Sequence, residues 1–101
     1  MVVTVPTTHT EQLLAAIGGA GGGQIDKIYD YCAFILRGEG RFRPLAGSNP
    51  TIGAIGRIER VIEDQIEVTV GAERLTRVLE AIRQNHPYEV PVIDVYELVE
   101  P

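Results

Sequence analysis

Two groups of residues in this sequence have side chains able to do chemistry. The first is Arg41, Arg43, Ser48 and Asn49, set among the glycines and prolines between Gly38 and Gly53. Arginine offers a planar fork of donors, a glycine-rich backbone presents its amides, and Ser48 and Asn49 add side-chain hydrogen bonds. Together these suit an anion, a phosphate or a nucleotide. A structural account competes: the glycines let a hairpin twist, Pro44 and Pro50 stiffen it, and the arginines pair with Glu39 or with acids of a neighbouring subunit. The second group is His86-Pro87-Tyr88-Glu89, where an imidazole and a carboxylate in a tight turn can bind a divalent cation, with Cys32 as a soft third ligand. Here too a structural account exists, since a histidine in a last helical turn suits the helix dipole, proline stops the helix and tyrosine is an amphipathic anchor.

Neither group makes an enzyme. Catalysis by acyl or proton transfer needs a nucleophile, a base and a group that orients the base. The chain has one serine, in the glycine-rich loop, and two histidines, His9 and His86, far apart in sequence. Cys32 follows Tyr31 and precedes Ala33-Phe34 in an apolar run, where a lone thiol behaves as a small buried hydrophobe. The glycines of Gly18-Gly19 and Gly21-Gly22-Gly23 follow a helix pattern instead of opening one after a strand, so they lack the context of a phosphate loop. The expectation is a protein without catalytic residues.

The elements that must position these groups follow from periodicity. Val2-Val3-Thr4-Val5 is β-branched and stopped by Pro6, which predicts strand one. Thr8 and Glu11 have capping-box spacing, and Leu13, Leu14 and Ile17 recur at helical intervals before the glycines. Tyr29 through Leu36 predicts strand two, and Gly38 to Pro50 reads as a long loop or twisted hairpin extension. Period two returns from Arg57 to Val70 for strand three. Leu75, Val78, Leu79 and Ile82 predict a second helix over Glu73 to His86, ended by Pro87, and Val92 to Val99 reads as strand four. The order β-α-β-β-α-β predicts an α+β ferredoxin-like sandwich, two helices on one antiparallel sheet, as a single domain over residues 1–101.

Composition agrees with a folded chain: 45% of the 101 residues are hydrophobic and 23% charged. The net charge of -5 disfavours nucleic acid and anionic membrane, which need a positive surface. One cysteine, an N-terminus without a basic apolar leader and no run of about 18 apolar residues together predict a cytoplasmic protein that does not enter the membrane. Strands one, two and four are apolar on both faces, so the sheet face away from the helices predicts an interface, here a homo-oligomer built sheet to sheet. The competing expectation is that the loop after strand two folds back over that face.

Three segments together carry a resemblance: Tyr29-Asp30-Tyr31-Cys32-Ala33-Phe34, the loop Gly38 to Gly53, and His86-Pro87-Tyr88-Glu89-Val90-Pro91, with Ile-Gly-x-x-Glu-Arg-Val at Ile55 to Val61. From about Val2 to Leu98 the chain resembles the insert domain of the Ngg-interacting-factor-3-like family. Its members are also called dinuclear-metal-centre hexameric proteins and GTP cyclohydrolase I type 2 homologues. The resemblance implies that the dinuclear metal ligands, histidines with acidic partners in the flanking lobes of those proteins, have no counterpart here, and that the hydrolase activity does not carry over. The insert is similar in fold to the CutA ion-tolerance proteins and the PII signalling proteins, trimers whose sheets face inward. CutA proteins share the His-Pro-Tyr-x-x-Pro string of residues 86–91. In PII proteins the loop between strands two and three reaches partner proteins and helps hold a nucleotide, and residues 38–53 occupy that place. The resemblance therefore implies a non-catalytic, PII/CutA-like homotrimer that binds a small ligand or a partner protein through residues 38–53. The alternatives are a divalent-metal binding or tolerance protein of CutA type and a structural oligomerisation domain.

Overall fold

The computed structural model describes residues 1–100. Its elements are β1 (Val2–Pro6), a 3-10 turn (Thr7–His9), α1 (Thr10–Gly19), β2 (Phe34–Phe42), β3 (Glu59–Glu67), a second 3-10 turn (Ala72–Arg74), α2 (Leu75–Asn85) and β4 (Ile93–Asp94). All pairings are antiparallel and the strand order is β2-β3-β1-β4. This is the ferredoxin-like α+β arrangement that the sequence predicts.

Strand alternation decides the layers. Val3 and Val5 of β1 are fully buried, and register places Ile66 opposite Val3 and Asp64 opposite Val5. Val3, Val5 and Ile66 meet Leu13 and Ile17 of α1 and Val78 and Ile82 of α2 in one core. Each such apolar side chain contributes about 1.5–3 kcal/mol on burial. The helices therefore cover the face of Val3, Val5, Asp64 and Ile66. The one carboxylate in this layer, Asp64, is almost wholly buried and fully paired. Arg37 Nε donates to Oδ1 at 3.0 Å and Thr10 Oγ1 donates to Oδ2 at 2.6 Å. The hydrogen bond from Arg37, followed by that from Thr10, holds the carboxyl below its ordinary range in spite of burial. One side chain of β3 thus ties the start of α1 to β2.

Several boundaries differ from expectation. β2 begins at Phe34 and not at Tyr29, because Asp26, Lys27 and Tyr31 all take positive φ and an isolated Ile25–Tyr29 bridge folds the preceding segment into turns. The ring of Tyr31 lies against α1 where Gly18 has no side chain; a Cβ there would strike it. α1 runs into the glycines, as expected, and ends at Gly19. No side-chain cap forms at its start, and Thr8 Oγ1 is 2.8 Å from His9 Nδ1. Gly38 to Phe42 belong to β2, so the loop starts only at Arg43. β4 is two residues long because antiparallel pairing of Ile93 and Asp94 with Val3 and Val2 uses up the first residues of β1. α2 ends at Asn85, and His86 before Pro87 is extended, at φ -92° and ψ 135°.

The sheet face away from the helices is open, with Phe34 61% and Leu36 54% exposed on β2, while β3 sets Glu59, Glu63, Gln65 and Glu67 opposite them. At one end residues 43–58 return toward it, as the competing expectation has it. The Asn49 N–H donates to Glu89 Oε1 at 3.0 Å and Thr51 Oγ1 donates to the Pro87 carbonyl at 2.7 Å. No helix among the described residues is long and apolar enough to cross a membrane.

Candidate functional site

The residues of β2 on the open face are Phe34, Leu36, Gly38, Gly40 and Phe42, opposite Glu67, Gln65, Glu63, Val61 and Glu59 of β3. Two consecutive positions of this face have no side chain, and large apolar groups flank them. The gap is the floor of a cavity of about 650 Å³, walled by Leu36, Phe42, Tyr88 and Val92 and roofed by Pro44, Pro50 and Ile52 of the loop.

At its centre stands Glu63, 8% exposed. Its side chain crosses the strand toward Gly40, where a Cβ would collide with the carboxylate. Tyr88 Oη donates to Oε2 at 2.6 Å. Oε1 receives no hydrogen bond from a described residue, yet every side-chain polar atom sealed from solvent has a partner. Oε1 therefore opens to the cavity. Burial, reinforced by the hydrogen bond and charge of Glu63, pushes the Tyr88 hydroxyl far above its ordinary value, so it stays protonated and donates. Phe42 and Tyr88 pack edge to face with ring centroids 5.5 Å apart at 63°.

The turn that supplies Tyr88 is held on all sides. His86 Nδ1 accepts the Tyr88 N–H at 3.1 Å, so Nε2 carries the proton and donates to the Thr4 carbonyl at 2.7 Å. Desolvation pushes the imidazole below its ordinary value of 6.5, which matches a neutral ring with both nitrogens engaged. His86 thus joins the turn to β1, Tyr88 joins it to β3, and Pro87 and Glu89 join it to the loop.

This geometry redistributes the residues expected from sequence. Arg43 and Ser48 border the cavity, but the Ser48 hydroxyl donates to the Leu45 carbonyl at 2.7 Å and serves its own turn. Arg41 also borders the cavity, yet alternation puts its side chain on the face opposite Gly40 and Phe42, where its Nε lies 3.9 Å from Glu39 Oε2. Asn49 does not line the cavity; its backbone anchors the loop to Glu89. Of the expected metal ligands, His86 has no free nitrogen, Glu89 is engaged by Asn49, and Cys32 lies elsewhere. Its thiol is 3.6 Å from the Asp30 carbonyl, and it borders a separate depression of about 280 Å³ with Phe34, Tyr96 and Leu98. Cys32, His86 and Glu89 are not brought together, and no three histidine, cysteine, aspartate or glutamate side chains among the described residues are grouped to hold a metal ion. Cys32 is also half-buried and precedes β2 instead of lying within it. Sequence reasoning missed Glu63, and it placed Gly38, Gly40 and Phe42 in a ligand-binding loop where the structure has strand β2. The available signal was the period-two string Phe34, Leu36, Gly38, Gly40, Phe42, which leaves two empty places between bulky ones on one face.

No family model matches the chain. Curated relatives do. The chain is 42% identical over 100 residues to a GTP cyclohydrolase 1 type 2 homolog of Mycobacterium leprae, covering 99% of this chain and 26% of that protein. It is 45% identical over 98 residues to the one of Halalkalibacterium halodurans, covering 97% and 26%. It is 40% identical over 96 residues to the one of Bacillus subtilis, covering 95% and 26%. Among solved structures, a Bacillus cereus protein related to NIF3 superposes with a TM-score of 0.84 at 39% identity, covering 98% of this chain and 25% of that one. The chain spans about a quarter of the length of the relatives it matches.

Proposed function

We propose that this chain, which matches about a quarter of the length of NIF3-related proteins, is a non-catalytic ligand-binding module whose cavity between β2 and residues 43–58 takes a small organic molecule. The observation that carries the reading is the glycine gap of β2: Gly38 and Gly40 form the floor of a cavity of about 650 Å³ closed by the loop and the turn at Tyr88. That falls within the roughly 300–1,000 Å³ of sites for small ligands, mostly apolar with a few convergent polar groups. Binding suits the side chains better than turnover does. The Tyr88 hydroxyl is bonded to Glu63, both His86 nitrogens are engaged, and the Ser48 hydroxyl serves its own turn. The relatives' name points to a nucleotide, and Arg43 at the cavity border supports an anionic group on the outer end of the ligand.

The experiment is a fragment and nucleotide screen on isotopically labelled protein, read by amide resonances. Ligands are expected to shift Gly38, Gly40, Phe42 and Tyr88 and to lose this effect in Gly38→Leu. A Cβ at Gly38 meets nothing within 4 Å, so this variant fills the cavity without collision at its first atom. Binding that persists in Gly38→Leu, or a screen that moves none of these resonances, refutes the reading.

The same module assembles with its own copies as a trimer through the sheet. Support comes from apolar side chains left on the open face, where Phe34, Leu36 and Val92 are all more than half exposed. Native mass spectrometry of the purified protein is expected to show three chains, and a monomer at micromolar concentration would overturn the assembly.

A further inference from the structure

The cavity holds a polarity opposite to the one that Arg41 and Arg43 suggest. Its most buried polar group is the Glu63 carboxylate, set among Leu36, Phe42 and Tyr88. A carboxylate offers about four acceptor positions, and one described donor, the Tyr88 hydroxyl, uses one of them. No cationic side chain among the described residues compensates the charge. Arg37 is committed to Asp64, Arg41 faces Glu39 on the other side of the strand, and no described arginine or lysine nitrogen lies within 4.0 Å of Glu63. With Oε1 open to the cavity, the carboxylate keeps acceptor positions that a donor from a ligand can take. Beside it, Phe42 and Tyr88 present an edge-to-face pair, which suits a flat ring.

Resting on the reading of this cavity as a ligand site, we propose that its occupant is a planar N–H donor, an amidine or an amino-substituted heterocycle. Its paired N–H groups meet Glu63 while its ring lies against Phe42 and Tyr88. Two coplanar N–H groups match a carboxylate edge in the forked geometry that makes guanidinium and amidinium groups strong partners for carboxylates. A carboxylate-bearing ring of the same size is rejected at this end by like charge. Gly40 is part of the selectivity, because only a residue without a side chain leaves Glu63 its place across the strand.

The test uses benzamidine and benzoate, which share a ring and differ in the donor or acceptor nature of the head group. Binding is followed by amide resonances of the intact protein, with thermal melting run alongside to show that each variant is folded. Benzamidine is expected to shift Gly38, Gly40, Phe42 and Tyr88, to bind at least tenfold tighter than benzoate, and to lose at least tenfold in Glu63→Gln. Tyr88→Phe keeps the carboxylate and frees a second acceptor, so the preference for benzamidine persists there. Benzoate binding as well as benzamidine at these resonances, or benzamidine binding equally to Glu63→Gln, overturns the donor rule while leaving the ligand cavity in place. Failure of both probes to move any cavity resonance overturns both.

Discussion

Gly40→Ala tests whether Glu63 depends on the missing side chain of β2. In an ordinary strand this change stabilises by about 0.5–1 kcal/mol, because glycine loses more backbone freedom on folding. Here the added methyl would overlap the Glu63 carboxylate, which is the far end of a flexible side chain and can move. Moving it breaks the 2.6 Å hydrogen bond from Tyr88, and hydrogen bonds to charged groups contribute about 1.5–3 kcal/mol. The difference predicts a net loss of about 1–2 kcal/mol. For a domain of this size that is a fall in Tm of roughly 4–15 °C. The assay is urea unfolding of wild type, Gly40→Ala, Tyr88→Phe and the double variant. In the Tyr88→Phe background the hydrogen bond is already gone, so Gly40→Ala should become neutral or stabilising, with a coupling of about 1.5–3 kcal/mol. A Gly40→Ala protein more stable than wild type, with no coupling to Tyr88→Phe, would refute the reasoning.

Two titrations complete the predictions. Desolvation lowers the folded pKa of His86 below its ordinary 6.5, so the unfolded chain takes up the proton first as pH falls. Stability is then full above that value, declines below it by at most about 1.4 kcal/mol per pH unit, and levels off below the folded pKa. Urea midpoints compared at about pH 7.5 and pH 5.5 should show the decline in wild type and not in His86→Gln, and equal slopes would contradict a neutral buried ring. Asp64 has the depressed pKa of a carboxylate bonded by Arg37 and Thr10. Its contribution is present above the ordinary carboxylate value of 3.8 and is lost as pH falls through the folded one. Asp64→Asn should be less stable than wild type near neutrality and lose less further stability on acidification from about pH 5 to pH 3. An unaltered acid limb would remove Asp64 from the account.

Local rules read some of this protein directly. The β-branched run ended by Pro6, the helical spacing of Leu75, Val78, Leu79 and Ile82, and the stop at Pro87 reappear as β1, α2 and the extended His86. The rest depends on pairing. Tyr29 to Leu36 is as apolar as a strand should be, but three residues with positive φ divert the chain and begin β2 five residues later. Ser48 and Asn49 are types that bind ligands, yet their hydrogen bonds hold the loop in place. Propensity describes which conformations a residue tolerates, whereas the turn into β2 is set by what Tyr31 packs on, the helix surface at Gly18.

By itself, then, the sequence determined the order of elements, the ferredoxin-like class and the apolar residues that β1 and β2 put on both faces of the sheet, because periods of 2.0 and 3.6 are written within a dozen residues. Tertiary structure alone decided the site. Glu63 meets Tyr88 across 25 residues, Asn49 meets Glu89 across 40, and His86 meets Thr4 across 82, while Cys32 is left in a different depression. The placing of Gly38 and Gly40 beside Glu63 follows from the register of β2 on β3, and a slip of β2 by one residue would turn both glycines to the opposite face. Register is set by the sum of contacts over the whole sheet and core, so the glycines become a cavity floor and Glu63 its open acceptor only once the fold is complete.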